Sequence, residues 1–313
     1  MSRPVVSVAG GVGCSLLASS LFAFMYYYAS WLAPLDSLQI YGWRIVLSLP
    51  LLTAVLMAAG QGRQLRALAR RLRTEPALWL GTLASAFLLG VQLWLFMWAP
   101  LHGHALDVSL GYFLLPLMLV LAGRWYFGER LSSWRKAASV LAGLGVAYEI
   151  LQAGHLSWPM ALVALGFPPY YLLRRRLGTD NLAGLWLDLA LSLPVALAVV
   201  AEGASWSLPD PLQLGLLLGL GVISATALLA MIAASQRLPL ALFGLLGYVE
   251  PLLLVVVALL LGEQIEAARW PTYLAIWAAV GVLCAEAAAR LWQARWPRLP
   301  LVEPGPVLEQ SQP

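Results

Sequence analysis

Five side chains able to do chemistry, Arg44, Gln92, Asp107, Asp188 and Glu250, stand inside long apolar runs or at their mouths. A charge in such surroundings is costly in a bilayer, so it faces a cavity or a partner. Glu250 directly precedes Pro251. Proline removes one backbone donor and frees a carbonyl in the preceding turn, and a carboxylate beside a locally broken helix is a feature that lines a transport path. The competing reading is a structural Glu hydrogen-bonded to Tyr112 or Tyr248. Arg44 either contacts the path, recruiting a carboxylate-bearing group or orienting Asp107, or snorkels to the nearer surface. Gln92 and Asp107 fall toward the same end and can join Arg44 in one polar cluster, while Asp107 reads equally as a helix cap or an interfacial carboxylate. Asp188 is a partner for Arg174, Arg175 and Arg176, or a gate at the opposite end.

Tyrosines accompany these groups: Tyr26 and Tyr27, Tyr170 and Tyr171, and Tyr112 and Tyr248, the last two each after a glycine. An aromatic cavity suits a planar, partly apolar or cationic solute. Catalysis has little to work with. The three histidines, His102, His104 and His155, fall in expected loops, and no intramembrane Gly-x-Gly-Asp or His-Glu-x-x-His motif occurs. No enzyme activity, metal or cofactor is therefore expected. The absence of a Gly-x-x-x-x-Gly-Lys-Ser/Thr sequence leaves ion or substrate gradients as the energy source, with protons a possible partner through Glu250. A channel remains the main alternative, although no filter-like motif or ring of like charges is visible.

The elements that must hold these residues follow from composition. Of 313 residues, 61% are apolar and 11% charged, against roughly a quarter charged in soluble domains. The apolar stretches are continuous and Leu/Ala-rich, which argues for helices of about 20 residues rather than barrel strands. Ten runs are bounded by charges and Pro/Gly clusters: 5–29, 38–59, 77–99, 105–127, 134–153, 158–173, 182–201, 211–235, 240–262 and 268–290. With the N-terminus cytoplasmic, 17 of the 19 basic residues fall on inner segments, Arg269 lies outside and Arg44 within the second span. That split obeys the positive-inside rule and explains the +4 charge without a nucleic-acid partner. Both termini are then cytoplasmic. The basic loop from Arg63 to Arg73 is explained by topology and could also touch anionic lipid. Cys14 and Cys284 lie in apolar runs, and Gly13-Cys14 belongs to a retained helix rather than a cleaved signal.

The chain also repeats itself. A shift of 144 residues sets Leu16 to Val55 on Met160 to Val199, aligning Tyr26-Tyr27 with Tyr170-Tyr171, Asp36 with Asp180, and Leu47-Ser48-Leu49-Pro50 with Leu191-Ser192-Leu193-Pro194. A weaker match pairs Gly111-Tyr112, Pro116 and Gly128-Glu129 with Gly247-Tyr248, Pro251 and Gly262-Glu263. Each copy holds five spans, an odd number, so the second enters the membrane inverted. The expected class is an all-α polytopic membrane protein of ten helices in two inverted repeats, 1–153 and 158–292, with a disordered cytoplasmic tail over 293–313. Inverted repeats are an architecture of alternating access, which points to a transporter, with a facilitative uniporter or channel behind it and a membrane enzyme further back.

The runs Gln92-Leu-Trp-Leu-Phe-Met-Trp-Ala-Pro100, Ala105-Leu-Asp-Val-Ser-Leu-Gly-Tyr-Phe-Leu-Leu-Pro116, Leu173-Arg-Arg-Arg-Leu-Gly-Thr-Asp180 and Leu242-Phe-Gly-Leu-Leu-Gly-Tyr-Val-Glu-Pro251 resemble RarD proteins of the EamA branch of the bacterial drug/metabolite transporter superfamily. The resemblance extends from about Leu16 to Glu286. It implies ten spans in two inverted repeats, an inner-membrane location and export of a small molecule. The family name reflects a link with chloramphenicol sensitivity, and the resemblance carries over no set of functional residues.

Overall fold

Backbone groups inside a bilayer must be paired within their own segment, and the chain meets that demand with helices. The structure, a computed structural model, describes residues 8–127, 132–153, 156–203 and 210–295. The tail from Trp296, together with Arg3, Glu129, Arg130, His155 and the start of the first expected span, lies outside the described residues. Within them the α-helices are α1 (Val8–Tyr28), α2 (Ser37–Ala58), α3 (Gly62–Thr74), α4 (Pro76–Leu101), α5 (Ala105–Phe127), α6 (Ser133–Ala153), α7 (Trp158–Leu177), α8 (Leu182–Gly203), α9 (Pro211–Arg237), α10 (Leu240–Leu246), α11 (Val249–Leu260) and α12 (Trp270–Arg295). No strand occurs among the described residues.

Local chemistry explains several boundaries. Asp36 caps α2 by accepting from Leu38 N and Gln39 N at 2.8 Å, and Asp36 N in turn donates to Gln39 Oε1 at 3.2 Å, a reciprocal capping box. Pro76 and Pro211 open α4 and α9, where a missing N–H costs nothing. Gly178 ends α7 in the left-handed region at φ 64°. Pro168 and Pro169 are accommodated within an uninterrupted α7.

Among the described residues, eight segments are long and apolar enough to cross a membrane: 8–32, 37–58, 76–101, 105–126, 182–202, 211–237, 242–260 and 267–289. Helices α6 and α7 fall short of that measure. The former carries Arg135, Lys136 and Glu149, and the latter ends on three arginines. The basic stretch expected as a loop is instead the helix α3. The ninth expected span is divided, with α10 and α11 separated at Gly247 and Tyr248.

The core is apolar, but so is much of the surface, unlike that of a soluble domain. Trp125, Phe87 and Leu151 are exposed, whereas Arg44, Gln92, Glu149, Arg174 and Asp188 are buried. Helix α1 packs on α9 and α11, α2 on α8, α9 and α4, α4 on α7 and α8, α5 on α7 and α11, and α6 on α12. Close approach requires small residues: a Cβ on Gly111 of α5 would lie 2.7 Å from Val163 Cβ of α7, inside van der Waals contact.

Candidate functional site

Arg44 projects from α2 into the bundle with 2% of its surface exposed. Its Nε donates to Ser224 Oγ on α9 at 3.0 Å, and its guanidinium carbon lies 5.6 Å from the centre of the Phe96 ring on α4. Nη1 is buried and makes no hydrogen bond. A guanidinium this deep is gripped on one edge only, which is not the arrangement of a side chain snorkelling to a surface. Tyr41, Tyr112 and Glu250 lie within electrostatic reach of it.

Glu250 stands in the first turn of α11, immediately after the interruption at Gly247 and Tyr248. It is half-buried, and Arg44 is the charge that acts on it. The two are not in ion-pair contact, and among the described residues no hydrogen bond joins Glu250 to Tyr112 or Tyr248. Because Pro251 has no N–H, the Gly247 carbonyl lacks its helical donor; the next helical bond, from Leu252 N to Tyr248 O, is long at 3.4 Å.

An aromatic wall extends from this pair. Phe96 meets Tyr26 edge-on at 4.7 Å and Tyr112 at 6.2 Å. Tyr112 meets Phe167 at 5.7 Å, and Phe167 stacks with Tyr171 at 5.9 Å. The hydroxyls of Tyr26 and Tyr248 are buried without partners. Tyr27 turns away, edge-on to Trp31 at 5.7 Å.

The expected grouping of Arg44, Gln92 and Asp107 does not form. Gln92 Nε2 donates to Leu162 O of α7 at 2.7 Å. Asp107 is held at one end of the bundle, where Arg269 Nη2 donates to Oδ1 at 2.5 Å and His104 Nδ1 lies 2.9 Å from Oδ2. Arg269 Nε also lies 2.8 Å from Glu149 Oε1, and Thr272 Oγ1 donates to Glu149 Oε2 at 2.9 Å. Glu263 completes this end by accepting from Ala105 N at 2.6 Å and Leu106 N at 2.8 Å, capping α5 from the α11–α12 connection. His104, Asp107, Glu149, Ser157 and Arg269 border a cavity of about 380 Å³.

Toward the other end of α7, about 20 Å along at 1.5 Å per residue, Tyr170 and Arg174 meet Asp188 of α8. Arg174 Nη1 approaches Asp188 Oδ2 at 3.4 Å, and Tyr170 Oη donates to the same oxygen at 3.3 Å. Arg174 also donates to Tyr170 Oη at 2.5 Å and to the carbonyls of Thr179 and Asn181 at 2.6 and 2.8 Å. Sequence reasoning missed Glu149, Glu263 and Thr272. The isolation of Arg269 as the lone basic residue of the expected outer segments was the one available signal that it has work to do there.

The eight apolar helical segments found among the described residues, enclosing buried charges, define a multi-pass membrane protein. No family model matches the chain. It is 44% identical to the chloramphenicol-sensitive protein RarD of Pseudomonas aeruginosa, over 86% of this chain and 92% of that one. An uncharacterized transporter of Haemophilus influenzae is 38% identical over 85% of this chain and 90% of its own length, and protein RarD of Salmonella typhi is 31% identical over 87% and 90%. A solved crystal structure, 18% identical, shares the fold with a TM-score of 0.54 over 89% of this chain and 98% of that chain. The chain belongs to the RarD family of EamA-branch drug/metabolite transporters.

Proposed function

We propose that this protein is a secondary transporter of the bacterial inner membrane, with cytoplasmic termini, that exports a small metabolite or drug-like solute by alternating access. The observation that carries the reading is the pair of Arg44 and Glu250. Each is a charged group among apolar helices, Arg44 Nη1 has no hydrogen-bond partner, and the two lie within electrostatic reach of each other beside a divided helix without forming an ion pair. A buried donor without a partner costs about 1–3 kcal/mol, and a site that waits for a solute tolerates that cost.

Packing supports two inverted five-helix repeats. Setting α1, α2, α4, α5 and α6 on α7, α8, α9, α10–α11 and α12 exchanges the contact α1–α9 with α7–α4, α2–α9 with α8–α4, and α1–α11 with α7–α5. The contacts α2–α8, α5–α11 and α6–α12 are their own images. The 144-residue shift sets Arg44 against Asp188, and each has a serine of the exchanged helix beside it, Ser224 of α9 and Ser85 of α4. The Asp107–Arg269–Glu149 cluster then closes one end of the path and the Arg174–Asp188–Tyr170 cluster the other, each opening in turn around the Arg44–Glu250 region. Glu250 is the group placed to carry a proton.

The test is counterflow in proteoliposomes loaded with candidate amino acids, cationic drugs and small metabolites, with and without a pH gradient. Saturable uptake stimulated by solute on the opposite side is expected. Non-saturating flux without that stimulation would assign a channel instead.

A further inference from the structure

The helix α3 carries two faces. Leu68 and Leu72 pack against Leu78 of α4 and Leu177, Trp186 and Leu187 around the α7–α8 turn. Arg63, Arg66, Arg70 and Arg73 follow one another at three- and four-residue steps, which places them on a single stripe, and all four are exposed. The fifth arginine, Arg71, belongs to the docking contacts. It donates to Leu177 O at 3.1 Å and to both carboxylate oxygens of Glu75 at 3.2 and 3.3 Å. The carboxylate nearest the helix is thereby taken by the arginine that is not in the stripe. The four stripe arginines border a depression of about 630 Å³, with Ala69 as its other lining residue.

Depth decides what can fill it. Helix α3 joins the ends of α2 and α4, and Met57 and Leu80, one on each of these spans close to α3, are exposed. In a chain that crosses the bilayer, exposed apolar side chains mark the start of the acyl-chain zone, so the arginine stripe lies at headgroup level. We propose that α3 is a strap whose arginine stripe binds the phosphates of an anionic phospholipid. The inference rests on the membrane-spanning reading and is independent of any transport cycle. Each basic residue near an anionic surface contributes about 1 kcal/mol, close to fivefold in affinity.

The experiment is native mass spectrometry of the purified full chain, delipidated and offered equal phosphatidylglycerol and phosphatidylcholine. Wild-type protein should retain phosphatidylglycerol at least about tenfold over phosphatidylcholine. The fourfold Arg63→Gln, Arg66→Gln, Arg70→Gln and Arg73→Gln variant should lose that preference, and the corresponding fourfold Lys variant should keep most of it. Should the Gln variant elute as aggregate, photoactivatable phosphatidylglycerol on wild-type protein provides a second reading, with crosslinks expected within 62–74. Equal retention of the two lipids by wild-type protein, an unchanged preference in the Gln variant, or crosslinks elsewhere would overturn the proposal. So would full displacement by excess glycerol phosphate, which would make the ligand a soluble phosphate. Failure to retain either lipid would speak against the membrane reading itself, a distinct outcome.

Discussion

A guanidinium held by one hydrogen bond to Ser224, with an unpaired Nη1 and a carboxylate in electrostatic reach, makes substitutions at Arg44 sharply informative. Arg44→Ala should abolish saturable counterflow, and Arg44→Lys should leave less than about a tenth of it, a loss of roughly 1.4 kcal/mol, because Lys keeps the charge but loses the planar fork. Normal counterflow by Arg44→Ala at matched expression would remove Arg44 from the path. Glu250→Gln keeps the shape of the side chain, so folding should survive; uptake driven by a pH gradient should fail while solute exchange persists in part. Loss of both activities in a well-folded Glu250→Gln protein would move Glu250 from coupling to solute binding. Arg269 bridges Asp107 and Glu149, and removing one member of a buried ion pair costs about 3–5 kcal/mol. Arg269→Met should therefore lower the melting temperature markedly. Adding Asp107→Asn and Glu149→Gln should restore most of the loss, since the cost lies in the stranded carboxylates; no recovery would show that Arg269 acts through its packing.

At the scale of the element, α5 and the α10–α11 pair make an instructive contrast. Both carry a Gly-Tyr pair ahead of a proline, yet α5 continues through Pro116 while the other pair of elements divides at Gly247 and Tyr248. One proline is thus insufficient to divide a helix, and packing decides the outcome. Helix α5 is pinned by the Glu263 cap at its start and by the close α5–α7 approach at Gly111. Gly111→Leu should overpack that contact and destabilise the protein by about 1–3 kcal/mol, read as a lower melting temperature in detergent. An unchanged melting temperature would mean that α5 and α7 separate at little cost.

For the whole molecule, the proposed inverted arrangement makes a prediction that no single helix makes. In a Cys14→Ser, Cys284→Ser background, cysteines at Arg66 and Arg175 should react with an impermeant reagent only after permeabilisation, while one at His102 should react in intact cells. Labelling of Arg175→Cys in intact cells would sink the five-plus-five topology, because α7 would then run the other way.

Family, membrane class and approximate helix limits were legible in the sequence, since each depends on local composition. A segment that enters lipid must be apolar and must satisfy its own backbone, and both demands are written residue by residue. Even the helical nature of α3 was available in the spacing of Leu65, Leu68 and Leu72 opposite the arginines, but the density of positive charge masked it as a loop. Only the tertiary structure decided which charges meet. Asp107 is bound by Arg269, 162 residues away in sequence, rather than by Arg44, because partnership depends on the rotation and tilt of whole helices, which a one-dimensional pattern does not contain. The same cause keeps Glu250 and Arg44 out of ion-pair contact: the packing of α2 against α9 and of α11 against α1 and α5 sets their separation, which neither local sequence specifies.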